Sequence, residues 1–190
     1  MFKVIEYNPS IDLKPYFKQA YEEGYIFHTS PRIFLWPGEL VVNNWIVYQG
    51  NNPIATFGVH SLKKYNAPGY SIMSRMCVLK YNSPINPTPR GFYEQHQNIV
   101  SQTVLPTCIN WLLKTQGKDI STYVNVDLSK PPQYMKGHNK MLQSWSKRGL
   151  IKLESEQSWH DRQVAVWSFD HSLFLEQYEQ CPKWDVHFPS

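Results

Sequence analysis

Apolar and polar positions alternate along FKVIEY (residues 2–7), which predicts a first strand. The stretch NPSIDLKPYFKQAYEEGY then changes to helical spacing. Ser10 or Asp12 serves as N-cap, Pro15 stands in the first turn and Gly24 stops the run, so a helix is expected over 12–23. Residues 25–43 hold turn residues and many rings. NWIVYQGNNPIATFGVHSL (44–62) reads as a hairpin, two β-rich runs joined at GNNP.

YSIMSRMCVL (70–79) is the next strand. Strict alternation places Ile72, Ser74, Met76 and Val78 on one face and Met73, Arg75, Cys77 and Leu79 on the other. After a loop with Pro84, Pro87 and Pro89, residues 92–116 carry Ile99, Val100, Val104, Leu105, Ile109, Leu112 and Leu113 at helical spacing, ending at Gly117. Pro106 inside this run should kink or split the helix. ISTYVNVDLS (120–129) is a strand with Thr122, Val124 and Val126 on one side and Tyr123, Asn125 and Asp127 on the other. KPPQYMKG reads as a loop, HNKMLQSWSKRG as a helix closed by Gly149, and LIKLES with QVAVWSF (163–169) as a last hairpin. A short helix over 171–180 and a tail follow.

That order, with one long helix between strands 70–79 and 120–126, implies a parallel crossover. The fold class is therefore α/β (α+β): one domain over residues 1–190, with a mixed central sheet and helices on both faces. A charged fraction of 18% against 42% hydrophobic excludes a disordered chain. The net charge of +4 permits an anionic cofactor or nucleic acid, but the basic residues gather no further than Lys147-Arg148. Cys77, Cys108 and Cys181 are too widely spaced for a disulfide framework, and MFKVIEYNPS lacks the apolar run of a signal peptide. A soluble, cytoplasmic protein without membrane partners is expected.

Several side chains invite chemistry. Asp127, with Asn125 and Tyr123 on one strand face, is either a base or amine anchor, or a residue that ends the strand and caps the next turn. His138 is an acid or base, or an ordinary helix-start residue; Tyr134 lies one turn earlier. Ser74 and Arg75 stand mid-strand, where an arginine needs a partner. Cys77 has no histidine nearby in sequence to activate it, and no histidine or cysteine pair has zinc spacing. The ring-rich YIFHTSPRIFLW (25–36) is a lid, a stacking surface or simple packing.

SRMCVL followed by a loop and helix resembles the central strand of the GNAT acyltransferase superfamily. In NKMLQSWSKRGL, Asn139, Trp145, Gly149 and Leu150 fall at the spacing of that family's Asn…Tyr…Gly-Phe helix ending. The resemblance covers roughly residues 45 to 168. It implies an acyl-CoA-dependent N-acyltransferase whose cofactor, acetyl-CoA or another acyl-CoA, lies against Cys77, Val78, Leu79, Arg90, Gly91 and Asn139. Asp127, Asn125, Tyr134 and His138 would serve the transfer to a small-molecule or macromolecular amine.

Two departures accompany it. The family's phosphate loop is reduced to Arg90-Gly91, and Pro84, Pro87 and Pro89 have no N–H to donate. Trp145 stands where the family often has a tyrosine acid, and an indole N–H is not an acid near neutral pH. These departures keep two alternatives open. One is a nucleic-acid-modifying protein similar to the phage adenine-modifying Mom enzymes, acting in a host cytoplasm. The other is a non-catalytic binding or inhibitory protein of the same fold.

Overall fold

A computed structural model describes residues 1–22, 41–62, 68–79, 99–129, 132–159 and 162–190. Its strands are β1 (Phe2–Glu6), β2 (Val41–Gln49), β3 (Asn52–Ser61), β4 (Tyr70–Val78), β5 (Thr122–Asp127), β6 (Ile151–Trp159), β7 (Arg162–Phe169) and β8 (Val186–His187). They form one eight-stranded sheet in the order β6-β7-β5-β4-β3-β2-β1-β8. β4 with β5 and β1 with β8 are parallel, and the remaining neighbours antiparallel, so the sheet is mixed.

Alternation on the central strands builds two cores. Trp45 and Val47 point into the larger one with Phe57, Val59, Val124 and Val126, while Ile46 and Tyr48 turn to the other face. The larger core lies beneath α2 (Leu105–Gln116) and α3 (Pro132–Lys147): Trp111 meets Trp45 edge-on at 5.7 Å and Trp145 meets Phe169 edge-on at 5.6 Å. On the opposite face α1 (Lys14–Glu22) closes a smaller core of Leu13, Phe17, Ile46 and Leu79. The Asp12 carboxylate accepts the Lys14 N–H at 3.1 Å, so of the two expected caps Asp12 is the one in place.

Proline explains two features of the helices, one expected and one not. Pro106 sits at the start of α2, and a π turn over Val100–Val104 precedes it, with the Leu105 N–H reaching the Val100 carbonyl. The wider turn accommodates a ring that cannot donate to residue 102, so the long helix is split as Pro106 requires. KPPQYMKG, by contrast, is not a loop: α3 begins at Pro132. Proline is favoured at the first helical position because the N–H it lacks would have no partner there. Gly149, at φ +73°, ends the turn after α3, and the Leu150 N–H bonds back to the Trp145 carbonyl.

The tail is ordered by partners distant in sequence. Gln102 donates to the Pro182 carbonyl at 3.0 Å and accepts the Trp184 N–H at 3.3 Å. Phe2 stacks on Trp184 at 4.9 Å, which sets up the short β8 beside β1. The preceding helix, α4 (His171–Gln180), is capped by Asp170, whose carboxylate accepts the Leu173 N–H. Thr122 Oγ1 donates to the Phe169 carbonyl at 2.7 Å, which uses its only proton. It therefore accepts from His171 Nδ1, 3.1 Å away, and the imidazole carries its proton on Nδ1.

Two predictions follow from this framework. Gly69 precedes β4, and a Cβ there would overlap the Ser121 carbonyl oxygen and stand 2.8 Å from the Tyr123 ring. Gly69→Ala should lower the urea midpoint by the equivalent of about 1–3 kcal/mol, the usual cost of overpacking, with the m-value unchanged. His171 is partly buried, which lowers its pKa from the ordinary 6.5, with Asp170 opposing the shift. The unfolded chain then binds the proton more readily, so stability should decline as pH falls below about 6.5 and level off once the folded imidazole titrates. His171→Asn keeps a donor toward Thr122 without titrating. Its urea midpoints should lose that part of the pH dependence.

Candidate functional site

β4 and β5 lie side by side in the sheet but are joined at one end only. Their parallel register is limited to Tyr70↔Thr122 and Ser71↔Tyr123, with the Tyr70 N–H donating to the Ser121 carbonyl at 3.0 Å. Gly69 permits this close approach, and the Tyr70 hydroxyl donates to Gln116 Oε1 at 2.8 Å, tying the junction to the end of α2. Beyond it the strands part. Val124 to Asp127 continue in register with β7, and Cys77 and Val78 with β3. The facing edges of β4 and β5 thus run on without a ladder between them.

The parting has a local cause in β4. Its register against β3 shifts twice, between Thr56 and Gly58 and between Gly58 and His60, each time with an extra residue on β4. Met73 lies at φ +57°, a conformation that costs a non-glycine residue about 1–2 kcal/mol. Burial of Met73 and the bond from Ser74 Oγ to the Ser71 carbonyl, 3.0 Å, hold the bulge. Cys108 of α2 approaches the Gly58 carbonyl at 3.9 Å; burial pushes its thiol up to about 12, so it serves as a weak donor and not as a nucleophile. Bulges bend and twist the strand that carries them, which turns β4 away from β5. They also overturn the strict alternation expected for 70–79. Ile72 and Met73 are adjacent yet both enter the larger core, and Ser74 and Cys77 pair with Gly58 and Thr56 of one β3 face.

The gap gathers part of the candidate set. Along β5, Thr122, Val124 and Val126 are buried, while Tyr123, Asn125 and Asp127 are partly exposed on the opposite face, as the alternation predicts. Asn125 Oδ1 is fully buried and, among the described residues, has no hydrogen-bond partner. Asp127 accepts the Ser129 N–H at 2.8 Å, so its carboxylate caps the turn after the strand. Cys77 is partly buried against the α1 core. Leu79 is buried there, and its N–H donates to the Ile54 carbonyl at 2.7 Å. Val78 pairs with Ala55.

The rest is divided. Asn139 is exposed on α3. Tyr134 and His138 belong to the first half of α3, but their side chains, like that of Arg75, lie outside the described residues, as do Arg90 and Gly91 altogether. Trp145 is 4% exposed and packed on Phe169, a core residue and not a group facing the gap.

Sequence reasoning missed Gly69, which read only as part of a turn, and the paired shifts in β4, since YSIMSRMCVL alternates plausibly on paper. It also missed Gln102, whose partners lie 80 residues away or more. Described residues also line two concavities. One of 410 Å³ is flanked by Ser101, Gln102, Arg148 and Gln177, and one of 270 Å³ by Thr122, Tyr123 and His171. No described helix is long and apolar enough to cross a membrane.

No protein-family model matches the chain, and no curated protein matches it in sequence. Solved structures do match in shape. The ribosomal-protein-S18-alanine N-acetyltransferase from Escherichia coli superposes with a TM-score of 0.52 at 11% identity, covering 89% of this chain and 93% of that one. An uncharacterized protein from Bacillus halodurans gives 0.55 at 10% identity, covering 93% and 89%. At such identity the likeness concerns the fold. With its mixed sheet, its bulged β4 and its parting from β5, the chain has the GNAT N-acetyltransferase fold in a divergent form.

Proposed function

We propose that the protein is an acyl-CoA-dependent N-acyltransferase, with acetyl-CoA as the first donor to test. The observation that carries this is the unladdered run between β4 and β5 beyond Ser71 and Tyr123. A strand edge whose N–H and C=O groups have no neighbouring strand is a template for an extended ligand with amides of its own. The pantetheine arm of an acyl-CoA is such a ligand, and it would place its thioester where Asn125 and Asp127 face the gap. The N-acetyltransferase among the structural neighbours is consistent with this use of the fold.

In the transfer, an amine nitrogen bonds to the acyl carbon as the carbon–sulfur bond breaks. The amine gives up a proton and the departing thiolate takes one. Asp127 stands on the face from which an amine would approach, and its carboxylate, which accepts the Ser129 N–H at Oδ1, would receive the proton. Trp145 cannot supply the other proton, being an indole in the core. Tyr134 or His138, earlier on α3, would supply it.

Calorimetric titration of the full chain with acetyl-CoA and with CoA tests the reading. Saturable binding is expected, and at 100-fold excess over Kd the ligand should add about 2.7 kcal/mol to stability, visible as a raised Tm. Absence of both heat and Tm shift at about 1 mM acetyl-CoA would overturn it; that ceiling corresponds to only about 4 kcal/mol of binding.

A further inference from the structure

The 410 Å³ concavity is bounded by the π turn before α2, the residue after α3, one face of α4 and the start of the tail. Its volume falls within the range of small-molecule sites, about 300–1,000 Å³. Among the described residues, none of β4 or β5 lines it. Phe174 and Tyr178 give it an apolar wall: the two rings stack at 5.8 Å, and Phe174 is only 1% exposed. Ser101, Gln177 and Gln180 add neutral polar groups, and Arg148 is the one charged residue in the described lining.

Arg148 is held in place before any ligand arrives. Its Nε–H donates to Gln177 Oε1 at 2.8 Å, and the Gln177 amide donates back to the Arg148 carbonyl at 3.2 Å. This exchange fixes the guanidinium through its inner nitrogen, so part of the rotamer freedom that binding would remove is already gone. Among the described residues, its two terminal nitrogens have no partner. They form a planar fork that suits the two oxygens of a carboxylate.

The surroundings set the charge of the guest. Glu176 and Glu179 stand about 140–160° around α4 from Phe174, so neither carboxylate competes for the fork. Lys183 of the tail is engaged elsewhere, 3.1 Å above the Tyr178 ring. One guanidinium balances one negative charge, which favours a carboxylate over the near-dianion of a phosphate monoester.

We propose that this concavity binds a small organic monoanion, its carboxylate on the Arg148 fork and its apolar body beside Phe174 and Tyr178. The site is independent of the acyl-transfer reading. Gln177 is its positioning residue, since it acts through Arg148.

The ¹⁵N-labelled full chain is titrated with sodium 3-phenylpropionate, with 3-phenylpropanol, 3-phenylpropylammonium chloride and phenyl phosphate as comparators. The Arg148 Nε–H and Gln177 side-chain amide resonances are assigned by their loss in Arg148→Met and Gln177→Leu. Phenylpropionate should shift both saturably, and the alcohol and the ammonium should bind at least about tenfold more weakly, as for one lost charge-assisted hydrogen bond. Arg148→Lys keeps the charge without the fork and should also cost about tenfold, read at the Gln177 amide. Lys152→Gln removes an exposed cation on β6 and should leave the affinity unchanged. The comparators act on the unaltered chain, so the test stays decisive if a variant loses stability.

No saturable shift by about 10 mM, equal binding of the alcohol, or tighter binding of phenyl phosphate would overturn the inference. Equal weakening by Lys152→Gln and Arg148→Lys would do the same, because binding would then follow net charge. Acetyl-CoA is added last. If it displaces phenylpropionate, the concavity belongs to the cofactor and the inference falls; if it does not bind at all, the acyl-transfer reading falls alone.

Discussion

The distance between β4 and β5 is the constraint on which the rest of this structure turns. At Gly69 the chain passes so close to the Ser121 carbonyl that no side chain fits, and the two parallel pairs that follow fasten the strands. A few residues later the two register shifts in β4 and the left-handed Met73 pull the strand toward β3. A uniform ladder would have closed the sheet, and a missing junction would have let its halves separate. Tight contact at one end and bulges at the other produce a wedge of unpaired backbone in the middle of a continuous sheet.

Such a wedge is costly unless it is filled or solvated, since each buried N–H or C=O without a partner forfeits a hydrogen bond. The surrounding structure supplies the rigidity that keeps it open. Trp45, Phe57 and Trp111 pack beneath the β2–β3 side, and Trp145, Phe169 and Phe174 beneath the β5–β7 side. The tail then crosses the π turn before α2 at Gln102 and ends as a strand beside β1, so one segment links the β7 end of the chain to the far sheet edge. With both flanks held in this way, the strands are kept from relaxing toward each other, and the edges of β4 and β5 beyond the junction stay unpaired.

Much of this was legible where a single periodicity governs. Trp45 to Tyr48 divide between two cores, and Thr122 to Asp127 alternate buried and partly exposed, because both strands are regular and flanked on each side. Legibility failed where a local element answers to a distant one. The bulges of β4 are defined only against Gly58 and Thr56 of β3. β8 is two residues that pair because Phe2 and Gln102 hold the tail in place. The run KPPQ read as a loop because proline usually breaks a helix, whereas at the first helical position it starts one. At the site, the β5 cluster was readable as a face, but the hydrogen bond that ties Asp127 to Ser129 and the orphaned state of Asn125 depend on neighbours that no spacing reveals.

The placement of Trp145 adds a last constraint on any chemistry here. α3 buries Met141, Leu142 and Trp145 in the core on the side of Val124 and Val126, whereas Asn125 and Asp127 occupy the other face of β5. A proton donor carried by α3 and an acceptor carried by β5 therefore start on opposite sides of the sheet. An ordinary ladder would keep them apart, because neither small molecules nor protons pass through paired strands. Among the described residues, pairing between β4 and β5 stops after Ser71 and Tyr123, which leaves no ladder there between the two sides. That opening is where, among the described residues, the two faces of the sheet come nearest to meeting without a ladder between them.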